Sequence, residues 1–118
     1  MRPPTAKEMK KYIQVVTTTD SQTSAETIAQ AVLADRLAAC VQISQCRSWY
    51  RWQGRVEQAD EYRCTMKSRA DLYGELEEAI RRLHPYEVPE ILASEVAAGA
   101  ASYLAWLEQE LRPGKEER

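Results

Sequence analysis

The order of hydrophobic and polar positions predicts a βαββαβ chain with one further helix. From Tyr12 to Thr19 β-branched residues dominate, the pattern of a strand. Asp20-Ser21-Gln22-Thr23-Ser24 then offers several N-caps. Thr23 with Glu26 has the spacing of a capping box, and Asp20 or Ser21 would start the helix earlier. Ala25, Ile28, Ala29, Val32, Leu33 and Leu37 recur at helical spacing. A second strand begins at Ala39 to Ile43 and is expected to run to Trp52, with an irregularity near Ser44 to Cys46. Gln53-Gly54 is a tight-turn signal in which Gly54 takes a positive φ. Val56 to Lys67 returns as a third strand, with Tyr62, Cys64 and Met66 on one face and Glu61, Arg63, Thr65 and Lys67 on the other. Ser68-Arg69-Ala70-Asp71 reads as a second capping box, followed by Leu72, Leu76, Ala79, Ile80 and Leu83 on one helical face. Glu90 to Val96 is the fourth strand. Gly99 precedes a last helix from Ala100 to Leu111, with Tyr103, Leu104, Leu107 and Leu111 on its stripe.

This order is that of the split βαβ, or ferredoxin-like, arrangement: an α+β fold on an antiparallel sheet, with a long β2–β3 hairpin and an extra C-terminal helix. One domain is expected over residues 11–111, between disordered tails at 1–10 and 112–118. The hairpin is too long for a domain of this size, since a strand of about twelve residues at about 3.3 Å each reaches roughly 40 Å. Its end should project with unpaired backbone at the edge, which predicts an oligomer.

Composition narrows the function classes. A net charge of −2 gives phosphate backbones little electrostatic purchase, so no nucleic-acid partner is expected. No apolar run approaches the roughly 20 residues of a membrane span, and Met1 to Lys10 has no apolar segment of the kind a secretory leader uses. Three cysteines without paired spacing fit reduced thiols and a cytoplasmic location. With no phenylalanine, aromatic packing falls to three Trp and six Tyr, which also seek polar partners.

The stretch richest in candidate chemistry is His84-Pro85-Tyr86-Glu87-Val88-Pro89-Glu90, which holds the one histidine and two of five prolines. Pro85 drives His84 out of the α region, and Pro89 does the same to Val88, so the segment is a stiff bend at a helix end. An ordinary helix stop would use the same residues. Cys40 with His84 has the composition of a nucleophile and base, with Glu61, Glu87 or Glu90 as orienting group, yet spacing cannot join them. Buried packing is the other reading of Cys40. Lys67 and Arg63 could hold an anion, or form a solvated strand face. Trp49, Tyr50 and Trp52 beside the turn suit ligand stacking or a subunit contact. No nucleophile, base and orienter assemble from spacing, which favours a binding or scaffold protein over an enzyme.

His84 to Glu90 with Ile91 resembles the signature of the CutA divalent-cation tolerance family. Arg36-Leu37-Ala38-Ala39-Cys40-Val41, Tyr50-Arg51-Trp52-Gln53-Gly54 with Glu57, and Tyr103-Leu104-Ala105-Trp106-Leu107 agree in order and spacing, so that the resemblance spans about residues 11–111. It implies the same fold, a homotrimer, a role in the response to metal ions, and copper or another divalent cation as ligand. It also implies a cleft between subunits involving Cys40, Trp52, Glu61, Lys67, His84 and Tyr86, to which the neighbouring Glu90 is added. For a soft metal, Cys40 and His84 from adjoining subunits are the expected donors, since thiolate and imidazole suit copper(I). Gln42 and Gln45-Cys46 depart from the common family pattern of Asn at the first position and Pro-Gly at the other two. The alternatives are a trimeric sensor similar to PII transducers, binding a small anion, and a Cys-His hydrolase.

Overall fold

The computed structural model describes residues 11–114. The tails expected at 1–10 and beyond 114 lie outside the described residues. Strand β1 is Tyr12–Thr19, helix α1 Gln22–Ala34, β2 Cys40–Trp52 and β3 Arg55–Arg69. After a 3-10 turn at Ala70–Leu72 come α2 at Tyr73–Leu83, β4 at Ile91–Glu95 and α3 at Ala101–Glu110. The sheet is antiparallel in the order β2-β3-β1-β4.

Alternation decides which face is covered. Ile13, Val15, Cys64, Met66 and half-buried Val41 pack with Ala25, Ile28 and Val32 of α1 and Leu76, Ala79 and Ile80 of α2. The other face carries Gln14, Val16 and Thr18 of β1 beside Lys67, Thr65 and Arg63 of β3, by register. Thr17 and Thr19 also lie on the helix-covered face and are fully buried. Thr19 bonds Ser24 at 2.8 Å, whereas the Thr17 hydroxyl is buried without a hydrogen-bond partner among the described residues.

Several local expectations change. The N-cap of α1 is Ser21, whose Oγ accepts the Ser24 N–H at 3.1 Å, so the helix begins before the Thr23 box. The expected irregularity at Ser44 to Cys46 is absent: β2 and β3 pair in unbroken register from Cys40↔Lys67 to Trp52↔Arg55. Ser68 does not cap a helix either. It stays in β3, and its buried hydroxyl donates to the Leu37 carbonyl at 2.6 Å. Tertiary bonding there outcompetes a local cap. Leu33, Leu83 and Tyr103 are partly exposed, on the flank or in an end turn of their helices.

Turn geometry follows the chain chemistry. Gln53 and Gly54 both have positive φ, 51° and 79°, the pairing a two-residue hairpin of the matching twist needs. Arg36 also has a positive φ, 57°, at the end of α1. The Leu37 N–H reaches the Val32 carbonyl and the Arg36 N–H reaches that of Leu33, a Schellman closure with arginine where glycine is usual. The strain is offset by the side chain, which donates to the carbonyls of Glu110 at 2.8 Å and Gln109 at 2.7 Å and so caps α3.

A second arginine organises the same end. Arg69 is 3 % exposed. It donates to Asp71 at 2.6 Å, Glu108 at 3.1 Å and the Arg112 carbonyl at 2.8 Å. Arg112, placed by the sequence in the C-terminal tail, donates to the Asp35 carbonyl and to Glu75. At the opposite end the hairpin runs out from the core, giving a molecule of 53 × 30 × 25 Å. No residue of β2 is fully buried, and Trp49, Tyr50, Trp52 and Val56 are exposed.

Candidate functional site

The bend after α2 is the hub of the site. His84 leaves the helix with φ −80° and ψ 136°, the extended geometry that Pro85 demands. Its ring makes two bonds. Nδ1 accepts the Tyr86 N–H at 3.1 Å, and Nε2 lies 2.8 Å from the Thr18 carbonyl. A carbonyl only accepts, so the proton is assigned to Nε2, and the neutral imidazole has both nitrogens engaged. The rings of His84 and Tyr86 lie 4.9 Å apart. The Tyr86 hydroxyl donates to Glu61 Oε2 at 2.6 Å. Burial, then the hydrogen bond and charge of Glu61, push the Tyr86 phenol well above its ordinary pKa, so it is a donor at any physiological pH. The chain of contacts Thr18–His84–Tyr86–Glu61 therefore ties β1, the bend and β3 together.

Strand alternation aims the remaining walls. Cys46 of β2 pairs across from Glu61, and Ser48, Tyr50 and Trp52 follow on the same face by register. With the bend they enclose an open cleft of about 650 Å³, lined by Thr18, Cys46, Trp52, Glu61, Arg63, Tyr86 and Glu90 among others. Thr18 Oγ1 donates to Glu90 at 3.4 Å, a long contact.

Of the residues singled out from sequence, the fold brings Trp52, Glu61, Tyr86 and Glu90 to this cleft. Lys67 is not among the lining residues; its ammonium donates to Gln42 at 3.2 Å. Cys40, half-buried, faces Lys67 at the first register position of β2. Arg63, opposite Thr18, lies four residues from Lys67 along β3, roughly 13 Å. Cys40 and His84 of one chain are thus not brought together, and among the described residues no three His, Cys, Asp or Glu side chains converge as metal ligands. Cys64 is a core thiol, pushed up to about 11 by burial. Thr18, Cys46 and Ser48 were not read from sequence as cleft residues. Alternation from Trp52 back along an unbroken β2 would have found the last two.

The comparisons with known proteins agree with this architecture. A family profile described as CutA1 divalent ion tolerance protein matches residues 13–110. The divalent-cation tolerance protein CutA of Pyrococcus horikoshii is 39% identical over 100 residues, covering 85% of this chain and 98% of that protein. The solved structure of the divalent cation tolerance protein (Cut A1) from Thermus thermophilus superposes with a TM-score of 0.83 at 40% identity, covering 86% of this chain and 99% of the other. A CutA from Archaeoglobus fulgidus, described as periplasmic, superposes with a TM-score of 0.84 at 30% identity, covering 86% and 99%. The order of elements and the fold are therefore those of a known lineage, and the chain belongs to the CutA1 divalent ion tolerance family.

Proposed function

We propose that this CutA-family protein acts as a cytoplasmic, non-catalytic homotrimer in the response to metal ions, with copper as its preferred soft ligand. The observation that carries the assembly is the uncovered hairpin end. Trp49, Tyr50, Trp52 and Val56 expose large apolar surface on a strand pair that the single chain leaves uncovered. Such an edge is a template for pairing with further copies. Among the described residues no helix is long and apolar enough to cross a membrane, and the three cysteines are free, which supports a reducing compartment.

The donor chemistry of a copper site is thiolate plus imidazole. Cys40 is half-exposed and bears no bridge. His84 would contribute only by releasing the Thr18 carbonyl or the Tyr86 amide, so the two donors would come from adjoining copies. Cys40 and His84 sit apart within the chain, which also weighs against a Cys-His hydrolase. Light scattering at micromolar concentration tests the assembly: three subunits are expected, and a clean monomer overturns it. Metal content under reducing conditions, for the parent, Cys40→Ser and His84→Ala, tests the donors. Undiminished binding in both variants refutes them.

A further inference from the structure

Helix α3 is held to the rest of the chain by polar contacts more than by the core. Among the described residues, the apolar cluster between the sheet and the helices contains no residue of α3. Leu107 and Leu111 are buried, but Tyr103 and Trp106 are exposed. The Glu108 carboxylate accepts from Tyr12 at 2.8 Å and from Arg69 at 3.1 Å, and Arg36 takes the carbonyls of Gln109 and Glu110. The chain then crosses this end of the molecule as residues 111–114. The Arg112 N–H donates to the Arg36 carbonyl at 3.0 Å, and its guanidinium donates to the Asp35 carbonyl and to Glu75. Its own carbonyl accepts from Arg69 at 2.8 Å. Pro113 restricts Arg112 toward extended backbone. Gly114 is buried. A Cβ there would collide with the Asp71 carboxylate and lie 3.3 Å from the Arg69 guanidinium. Asp71 cannot step aside without giving up the 2.6 Å bond it accepts from Arg69 Nε. A Cβ on Gly54 or Gly74, by contrast, would meet nothing within 4 Å. Gly114 has no positive φ, so glycine is needed there for close approach and not for backbone freedom.

We infer that residues 111–114 form a strap that bolts α3 to the end of the sheet, with Gly114 as its seat. When the strap lifts, α3 opens as a unit while the sheet and its two covering helices stay folded. Two arginines join strap and helix. Arg69 holds Asp71 at the seat, Glu108 on α3 and the Arg112 carbonyl on the strap. Arg36 caps α3 with its side chain and takes the Arg112 N–H on its carbonyl. Displacing the strap removes a partner from each arginine and so loosens the grip of both on α3, which makes the release cooperative. A segment with few buried apolar contacts opens at a lower free energy than the whole domain. The core cluster keeps its own covering helices when α3 is gone, because α3 contributes nothing to it.

This device uses neither the cleft nor the metal donors, so it stands or falls separately from the metal reading. The experiment is hydrogen–deuterium exchange, read by mass spectrometry on the purified full-length protein at neutral pH. The proteins compared are the parent, Gly114→Ala, Asp71→Ala and the double variant. Gly114→Ala should speed exchange across α3 by about tenfold and change β1 and β3 by less than about twofold. In the Asp71→Ala background the same substitution should speed α3 by less than about twofold, because the carboxylate it collides with is gone. A second copy resting on Tyr103 and Trp106 would slow α3 in all of these proteins but would not create that dependence on Asp71. Unchanged α3 exchange in Gly114→Ala would overturn the inference. So would equal acceleration of β1 and β3, which would make the strap part of the global fold. The same effect of Gly114→Ala with and without the Asp71 carboxylate would remove Gly114 as the seat.

Discussion

The two ends of the sheet handle charge in opposite ways. At the end where β1 starts and β3 finishes, Arg69 is buried among Asp71, Glu108 and the Arg112 carbonyl, and Arg36 and Arg112 saturate the carbonyls closing α3 and α1. At the hairpin end, a buried carboxylate has a phenol for company, and aromatic rings face outward. Satisfied burial holds a chain together, while unsatisfied burial leaves free energy for something else to collect. The first end is where this fold is locked, and the second is where the single chain leaves charge and apolar surface uncovered.

The largest expected effect tests the locked end. Arg69→Ala removes the buried guanidinium from the partly exposed Glu108 and Asp71 carboxylates and from the Arg112 carbonyl, and should cost about 2–4 kcal/mol in urea unfolding. A loss under about 1 kcal/mol would mean that this end is no better held than a surface ion pair. Next comes the hub of the other end. His84→Ala leaves the Thr18 carbonyl and the Tyr86 amide without their ring partner and should cost about 1–3 kcal/mol. It should also free the Tyr86 ring, seen as altered near-ultraviolet dichroism, whereas a silent variant would reduce His84 to a plain helix stop.

Alkaline pH tests a phenol at each end. Burial, then the hydrogen bond and charge of Glu108, raise the Tyr12 phenol from 10.0 to about 12. The folded state therefore binds this proton more tightly than the unfolded chain, and stability must fall as pH rises through that window. The melting temperature should drop there, and Tyr12→Phe should reduce the drop, the remainder coming from the likewise raised Tyr86 phenol. Glu108 works in the opposite direction. Burial raises its pKa, but the Tyr12 hydrogen bond with Arg69 and Lys11 outweighs that and leaves it lowered. Its contribution is present above the ordinary carboxylate range and is lost as pH falls through the depressed value. The smallest effect is a gain. Thr17→Val removes a buried hydroxyl that has no hydrogen-bond partner among the described residues and should raise stability by about 1 kcal/mol. A loss would show that this hydroxyl has a partner in solution.

The sequence by itself determined the elements, their order and the faces of β3, because alternation and helical spacing are local consequences of backbone geometry. It determined the bend at His84, because proline restricts the residue before it wherever it occurs. The family was also legible, in four motifs whose spacing survives without any structure. Tertiary structure decided which of those residues meet. Ser68 became a strand residue because the Leu37 carbonyl needed a buried donor, and Arg36 took a glycine's conformation because the end of α3 lay within its reach. Lys67 shared a strand face with Glu61 in the sequence, yet four residues of extended chain carry Arg63 and Lys67 roughly 13 Å apart, so only Arg63 lines the cleft. Cys46 entered beside Glu61 through cross-strand register. Periodicity fixes a side chain's direction within its own element, but contact between elements depends on register and packing, which no local pattern encodes.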